Sequence, residues 1–324
     1  MSRMKPGLIA IALLACGLIS SAAAPMLQQA PAAAGAQGGV GPAGPRGGGA
    51  RGGGGRGGGR AAAPQRKRVL AWADTRNGIA QHESVGHALS TIERLGYDSG
   101  MWDTFIRTDS NIISAAPKKS DGSAASGGPN LGNVDAIFFM GHRDVPIDDA
   151  QKAELLQFVR DGHGFVAAHV GLTAFESWPE FGELIGARFD GHPITGAGVV
   201  INEGPAFPAT KHFPASFPFN DEFYQPSQYS RDKIDVVLRL DVKAGTQGIH
   251  PDGDYPLAWA KMYGKGRVFY GSFAHANTTW DIRDVQQMYF QAMMWALGLT
   301  DAEPTGHPMR GTAPANAAPA GATP

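Results

Sequence analysis

The chain is poor in cysteine. Its 324 residues hold a single one, Cys16, close to the amino terminus. Everything beyond it can form no disulfide, offers no thiol nucleophile and builds no cysteine-based metal site. Cysteine hydrolases and Cys-type zinc fingers are thereby excluded. An excess of charge is missing too. The 28 Lys and Arg nearly cancel the 29 Asp and Glu, for a formal net charge of -1. No global charge argues for nucleic acid or a membrane surface. Long apolar runs are absent as well: the one near the start, Gly7 to Ala15 continuing through Ile19, is short for a membrane span.

That run does have another meaning. Arg3 and Lys5 precede it, and Ser20-Ser21-Ala22-Ala23-Ala24 follow. A basic end, a short apolar stretch and an Ala-x-Ala site predict a secretory signal peptide over 1–24 and an exported protein, periplasmic or extracellular. Leu13-Leu14-Ala15-Cys16 also resembles a lipoprotein cleavage box, in which Cys16 would carry a lipid anchor. Residues 25–67 read as an Ala/Pro/Gly/Arg linker. Between Gln28 and Gln65 the only charges are Arg46, Arg51, Arg56 and Arg60, and large apolar residues are nearly absent. Such a segment cannot offset its own ordering entropy. Arg-Gly repeats can bind nucleic acid, but export argues against that partner. A Pro/Ala-rich tail, 301–324, reads the same way. The folded part is expected over 68–300, a length that suits one α/β domain.

Within it, Val134 to Gly171 is the organising stretch. An apolar run ends at Met140 and is followed by Gly141-His142-Arg143-Asp144. An amphipathic segment then runs from Asp148, a helix-capping residue, to Asp161. Gly164-Phe165-Val166-Ala167-Ala168 stops at His169. This is strand, helix, strand, with polar residues at the carboxyl end of each strand, where open α/β sheets bind ligands. Upstream, Arg68 to Ala73 predicts another buried strand, and His82 to Leu95 a helix ended by Gly96. Tyr97 to Thr104 predicts a second strand. His82 would stand at the helix start, near that strand's carboxyl end. Downstream, Val199–Ile201, Val236–Leu240, Pro256–Lys261 and Arg267–Tyr270 read as strands. Asn220-Asp221-Glu222-Phe223-Tyr224 reads as a loop. Arg283 to Leu297 reads as a helix whose Val285, Met288, Ala292 and Trp295 face the core.

Several pieces together resemble the ThuA-like (trehalose-utilisation) family of the class I glutamine amidotransferase-like superfamily. They are Gln81-His82-Glu83, Asp161 to His169, Phe189-Asp190-Gly191-His192-Pro193, Asp221-Glu222-Phe223-Tyr224, Pro256-Leu257-Ala258-Trp259, Tyr263 to Tyr270, and His275. The resemblance implies a flavodoxin-like three-layer α/β sandwich with a mostly parallel central sheet. It also implies sugar catabolism, notably of trehalose and oxidised (3-keto) disaccharides. In the superfamily's amidotransferases a nucleophilic Cys occupies the tight turn after a central strand. Here His169 holds that place, so glutamine hydrolysis through a thioester is not available.

Three readings remain open. In the first, a metal-free sugar enzyme, His82 and His169 move protons with Glu222 or Asp221 as partner, since histidine titrates near neutrality. Arg76, His142, Arg143, His192, Tyr224 and Lys261 then bind the sugar. Ordinary glycosidases need two facing carboxylates; Asp221 and Glu222 are adjacent, and a strand would point them apart. In the second, His82, His169 and His275 bind Zn²⁺ with Glu222 near, leaving a position for water. No His-x-x-x-His spacing marks such a site, so only the fold can assemble it. In the third the domain binds sugar without turnover, through stacking on Trp72, Trp102, Trp178 and Trp259.

Overall fold

A computed structural model of the chain describes residues 65–310. The expected signal peptide, Cys16 and nearly all of the expected linker lie outside the described residues. Among the described residues no helix is long and apolar enough to cross a membrane.

The elements follow in the order β1 (Lys67–Trp72), α1 (Val85–Ser99), β2 (Trp102–Arg107), β3 (Ala136–Phe139), α2 (Asp149–Arg160) and β4 (Gly164–Ala168). Then come α3 (Pro179–Ile185), β5 (Arg188–Phe189), β6 (Ile194–Asn202), β7 (Ser216–Phe223) and β8 (Pro226–Ser227). The chain closes with β9 (Asp235–Leu240), β10 (Pro256–Tyr263), β11 (Gly266–Gly271) and α4 (Arg283–Ala296). Nine strands form one sheet in the order β2-β1-β3-β4-β11-β10-β9-β6-β7, and β5 pairs with β8 separately. From β2 to β11 every pairing is parallel. From β11 to β7 every pairing is antiparallel. The parallel strands form the expected α/β sheet, extended at one side by the antiparallel ones.

Strand periodicity sorts the core into two layers. Val69 and Ala71 of β1 face a cluster built with Val85, Leu89 and Ile92 of α1 and Met288 of α4. Leu70 and Trp72 face the other cluster, with Leu155 of α2 and Phe181 of α3. The central strands β3 and β4 are buried along their whole length, as strands covered on both faces must be. Asp148 caps α2 through a reciprocal capping box with Gln151.

Two boundaries differ from the sequence reading. α1 runs past Gly96 to Ser99, and Gly100, at φ 71°, makes the left-handed cap. Gly96 is needed for another reason: a Cβ there would lie 2.3 Å from the Trp102 indole, which packs against the helix. Tyr97–Ser99 are therefore helical and β2 starts at Trp102. The expected loop around Glu222 is the end of β7.

The folded part also extends beyond Thr300. Trp295 Nε1 donates to Ala302 O at 2.9 Å, and Arg239 Nη2 donates to Arg310 O at 3.3 Å. The segment closes over Glu203, whose side chain is fully buried. Glu203 pairs with Arg231 Nη1 at 2.8 Å, and Arg239 Nε lies 2.6 Å away. The angle of the second contact is too poor for a hydrogen bond, so it is ionic. Breaking a buried pair leaves the partner charge stranded and costs about 3–5 kcal/mol. Glu203→Gln should destabilise the protein by that amount in urea unfolding. A loss under about 1 kcal/mol would show that this network does not hold the terminal segment.

Candidate active site

Parallel strands deliver their carboxyl ends to one edge, and the histidines leave from there. β3 ends two residues before Gly141-His142, β4 ends at His169, and β11 is followed by Ser272-Phe273-Ala274-His275. β4 lies between β3 and β11, so these turns are neighbours. Three residues just past these strands adopt left-handed backbone: Arg143 (φ 58°), His169 (φ 38°) and Ala274 (φ 83°). Such conformations cost of order 1–3 kcal/mol each in non-glycine residues and gather at functional sites.

Glu222 arrives from the far side of the sheet. Only Val200–Asn202 of β6 pair with β9, while β6 and β7 pair from Ile194 to Ile201. The ladder therefore overhangs its neighbour. Its free end is fastened to the loop after β11. Asp221 Oδ2 accepts from Ala274 N–H at 2.7 Å, and Asp221 Oδ1 lies 3.2 Å from His275 N, which donates to it. Tyr224 N–H donates to Ser272 Oγ at 3.0 Å. Alternation along β7 then turns Glu222 the other way from Asp221, toward the histidines.

Their atoms meet closely. His169 Nε2 and His275 Nδ1 are 3.2 Å apart. Glu222 Oε2 is 3.0 Å from His275 Nδ1 and 3.5 Å from His169 Nε2. His82 joins them, so that one donor atom from each of the four residues falls within 4.8 Å of the others. The Ser272 carbonyl, 2.7 Å from His169 Nδ1, can only accept. It fixes the proton on Nδ1 and leaves Nε2 with a lone pair, as a metal-binding histidine requires. Glu222 Oε1 is held by His192 Nδ1 at 3.3 Å.

The electrostatics fit a cation. Burial, reinforced by His169 and His275, lowers the His82 pKa to about 4, so its imidazole is neutral at physiological pH. Burial works to raise the Glu222 pKa. Where His169 carries a proton on both nitrogens its Nε2–H donates to Glu222, and that bond, with the charges of His275 and His192, outweighs burial and brings the value down to about 2. Burial, followed by the Arg143 charge, lowers that of His142. Burial and the nearby Glu222 push Tyr224 up, which keeps its phenol protonated. Neutral imidazoles and an ionised carboxylate are the forms that bind a divalent ion. At a ligand distance of about 2.1 Å one ion can touch all three atoms of the His169–His275–Glu222 triangle. The residues present thus fit a metal.

Most of the expected site residues gather here. The His142 ring stands 5.2 Å from that of His82. The Tyr224 ring packs on His169 at 4.1 Å, and its hydroxyl lies 3.4 Å from His82 Nε2. Arg143 pairs with Glu176 beside His142. Arg76 is exposed in the loop after β1. Lys261 does not belong. β10 is antiparallel to β11, with Ala258 opposite Gly271 and Lys261 opposite Val268. Its carboxyl end therefore points to the opposite edge of the sheet. Lys261 lines a separate cavity of about 620 Å³ with Glu183, Lys233 and Tyr263. The tryptophans expected to stack on sugar are core residues too: Trp72, Trp102 and Trp259 are 0 % exposed and Trp178 is 7 %. Ser272 is a support that sequence reasoning left out, and Asp221, read there as an alternative proton partner, serves instead as a backbone tie. Ser272 follows β11 as His169 follows β4, and that shared position is the signal for it.

A flavodoxin-like α/β sheet with three histidines and a carboxylate at its carboxyl edge defines the class. The chain belongs to the ThuA family, described as trehalose utilisation, whose model matches residues 68–296. Two solved ThuA-like proteins are similar to it in fold. That of Bacteroides uniformis is 20% identical, with a TM-score of 0.57 over 72% of this chain and 93% of that one. That of Parabacteroides merdae is 16% identical, with a TM-score of 0.56 over 75% and 96%. No curated protein matches the sequence.

Because Glu222 ionises near pH 2 rather than 4.5, it contributes stability above its ordinary pKa that is lost as pH falls through 2. Metal-free wild type should therefore lose more stability than metal-free Glu222→Gln between about pH 5 and pH 2. Parallel pH profiles in chemical denaturation would refute the assignment.

Proposed function

We propose that the protein is an exported, metal-dependent enzyme of carbohydrate catabolism, acting on a disaccharide or an oxidised (3-keto) sugar. The observation that carries this reading is the convergence of His82, His169, Glu222 and His275 on a common point. The basic, apolar and small-residue start of the chain supports export, and family membership supports the sugar.

A bound divalent ion would polarise a sugar oxygen and acidify the neighbouring C–H or a water. The protein's own groups do the rest. His169, fixed by the Ser272 carbonyl, and Glu222, fixed by His192, hold their donor atoms still. The protonated Tyr224 phenol donates to a developing oxyanion, while neutral His142 accepts or relays a proton at the rim. Hydrolysis, elimination and isomerisation can each use this combination. Glutamine amidotransfer does not follow, because imidazole stands where that chemistry needs a thiolate.

Metal-free proton transfer is the second reading, favoured by the neutral state of His82 beside the Tyr224 hydroxyl. The tryptophans assigned to stacking in a sugar-binding module are buried and do not support that reading. Elemental mass spectrometry on the mature protein separates the first two. Near-stoichiometric metal is expected in wild type and none in His169→Ala. Turnover of a 3-keto disaccharide is expected to fall at least about 100-fold in that variant. Full turnover by protein freed of metal would overturn the metal reading in favour of proton transfer.

A further inference from the structure

The cavity that holds Lys261 has a cause in the topology. β10 and β11 form an antiparallel hairpin, so no crossover helix joins them. By strand alternation Trp259, Lys261 and Tyr263 share one face of β10. The short α3 lies on that face and ends there at Gly186, which takes left-handed backbone at φ 98°. A Cβ on Gly186 would stand 3.1 Å from the Lys261 stem and as near the Trp259 indole. Trp259 Nε1 and Lys261 Nζ donate to two carbonyls of the last turn of α3, those of Ile185 and Glu183. Beside this helix end, and bounded on its other side by the segment between β8 and β9, lies the cavity of about 620 Å³. That size admits a small organic molecule.

Its walls are unbalanced in charge. Arg188, Lys233 and Lys261 line it against one carboxylate, Glu183. Arg188 is committed to the fold, since its two Nη atoms donate to the Phe175 and Trp178 carbonyls. The lysines are less engaged. Among the described residues neither ammonium has an ion-pair partner, and Lys261 makes its one hydrogen bond to the Glu183 carbonyl. Burial, with a lesser push from the Lys233 charge, outweighs the pull of Glu183 and lowers the Lys261 pKa to about 8. An ammonium drawn partly out of water costs free energy unless a counter-charge answers it. The counter-charge available on the wall is not used.

We infer that this cavity is a second binding site, for a small hydroxylated molecule carrying a phosphate monoester that Lys233 and Lys261 hold. The three cations and Glu183 leave two net positive charges on the walls. A phosphate monoester above its second pKa of about 6 carries close to two negative ones, whereas a carboxylate answers only one. Lysine suits the task, as a point charge with rotatable donors. Gln228, Tyr229 and Ser230 line the same space and offer hydrogen bonds to hydroxyl groups. The cavity shares no residue with the histidine cluster, so this site stands whether or not that cluster holds a metal.

The test is calorimetric titration of the full chain with glucose 6-phosphate, glucose and gluconate. Glucose 6-phosphate should bind His169→Ala as tightly as wild type, with glucose and gluconate at least about tenfold weaker. Lys261→Met should weaken it roughly 10- to 100-fold, and Lys233→Met, at an exposed position, about two- to fivefold. Glu183→Gln, also exposed, removes a repulsive charge and should tighten binding. Affinity should fall as pH drops through about 6, where the phosphate gains a proton. It should fall again as pH rises through about 8, where Lys261 loses one, and this upper limb should vanish in Lys261→Met. Unchanged affinity in both lysine variants overturns the site. Loss of binding in His169→Ala overturns it too, by moving the phosphate to the histidines. Equal binding of gluconate overturns the phosphate assignment, and no binding of glucose 6-phosphate to wild type overturns the inference outright. Should Lys261→Met fail to fold, the two exposed variants decide: weaker binding in Lys233→Met with tighter binding in Glu183→Gln supports the site, and no change in either overturns it.

Discussion

Asp221 ties the outermost strand of the sheet to the turn that carries His275. Its carboxylate takes the backbone N–H groups of Ala274 and His275, which have no strand partner at that point. Burial raises its pKa above the ordinary value despite those bonds, so holding the charge there costs the fold something. The return is positional. Without the tie, the overhanging end of the β6–β7 ladder has little to hold it over the parallel strands, and Glu222 has no fixed place. With it, a carboxylate from one side of the sheet meets imidazoles from the other. Ser272 does the same work from two atoms, its hydroxyl on Tyr224 and its carbonyl on His169.

The histidines themselves are an unfavourable group to assemble. Each additional charge would repel the others in a partly buried space, and desolvation adds to that repulsion. His82 answers by giving up its proton over the whole physiological range. Glu222 answers oppositely, because hydrogen bonding from His169 and the charges of His275 and His192 outweigh burial and favour its ionised form. What results is a concentration of lone pairs directed at one region, with one negative charge. Such a group is costly to keep unless a cation is shared among its members, and a metal ion satisfies it more completely than a proton can. The left-handed turns at Arg143, His169 and Ala274 add strain at the same edge. The two buried layers of helix and sheet supply the stability that sustains both costs.

How far the sequence goes toward this picture depends on how local each piece is. The run Gly164 to Ala168 ending at a histidine is a local pattern. It predicts a central strand and a site residue, and β4 and His169 are that strand and residue. The parallel half of the sheet was legible for the same reason. Lys261 was misplaced because a strand's direction is not written in its composition: Pro256 to Lys261 reads equally well in either sense, and in β10 it runs the other way. Glu222 was chosen by motif, but its route to the site depends on the overhang of β6 past β9, which is set by pairing register between distant segments. Gly96 shows a different failure. A glycine at the end of an amphipathic stripe usually caps a helix, and here it makes room for the Trp102 indole instead. The tryptophans follow the same logic: large aromatic residues are far more often core than platform.

The turn after β4 shows in physical terms how the site differs from one built around a nucleophilic cysteine. A tight left-handed turn at the end of a central strand exposes one side chain at the sheet edge whatever that side chain is. With a thiol the turn presents a nucleophile, and neighbouring groups serve to activate it. With His169 it presents a lone pair that cannot form a stable acyl intermediate, and the most useful neighbours are other lone pairs. His275 and Glu222 occupy that role, and both are brought there by elements outside the βαβ core, the loop after β11 and the overhanging ladder. One backbone feature is therefore compatible with two chemistries, and the residues that converge on it decide between them. In this chain they are side chains that could hold a cation, assembled by long-range pairing rather than by any sequence-local motif.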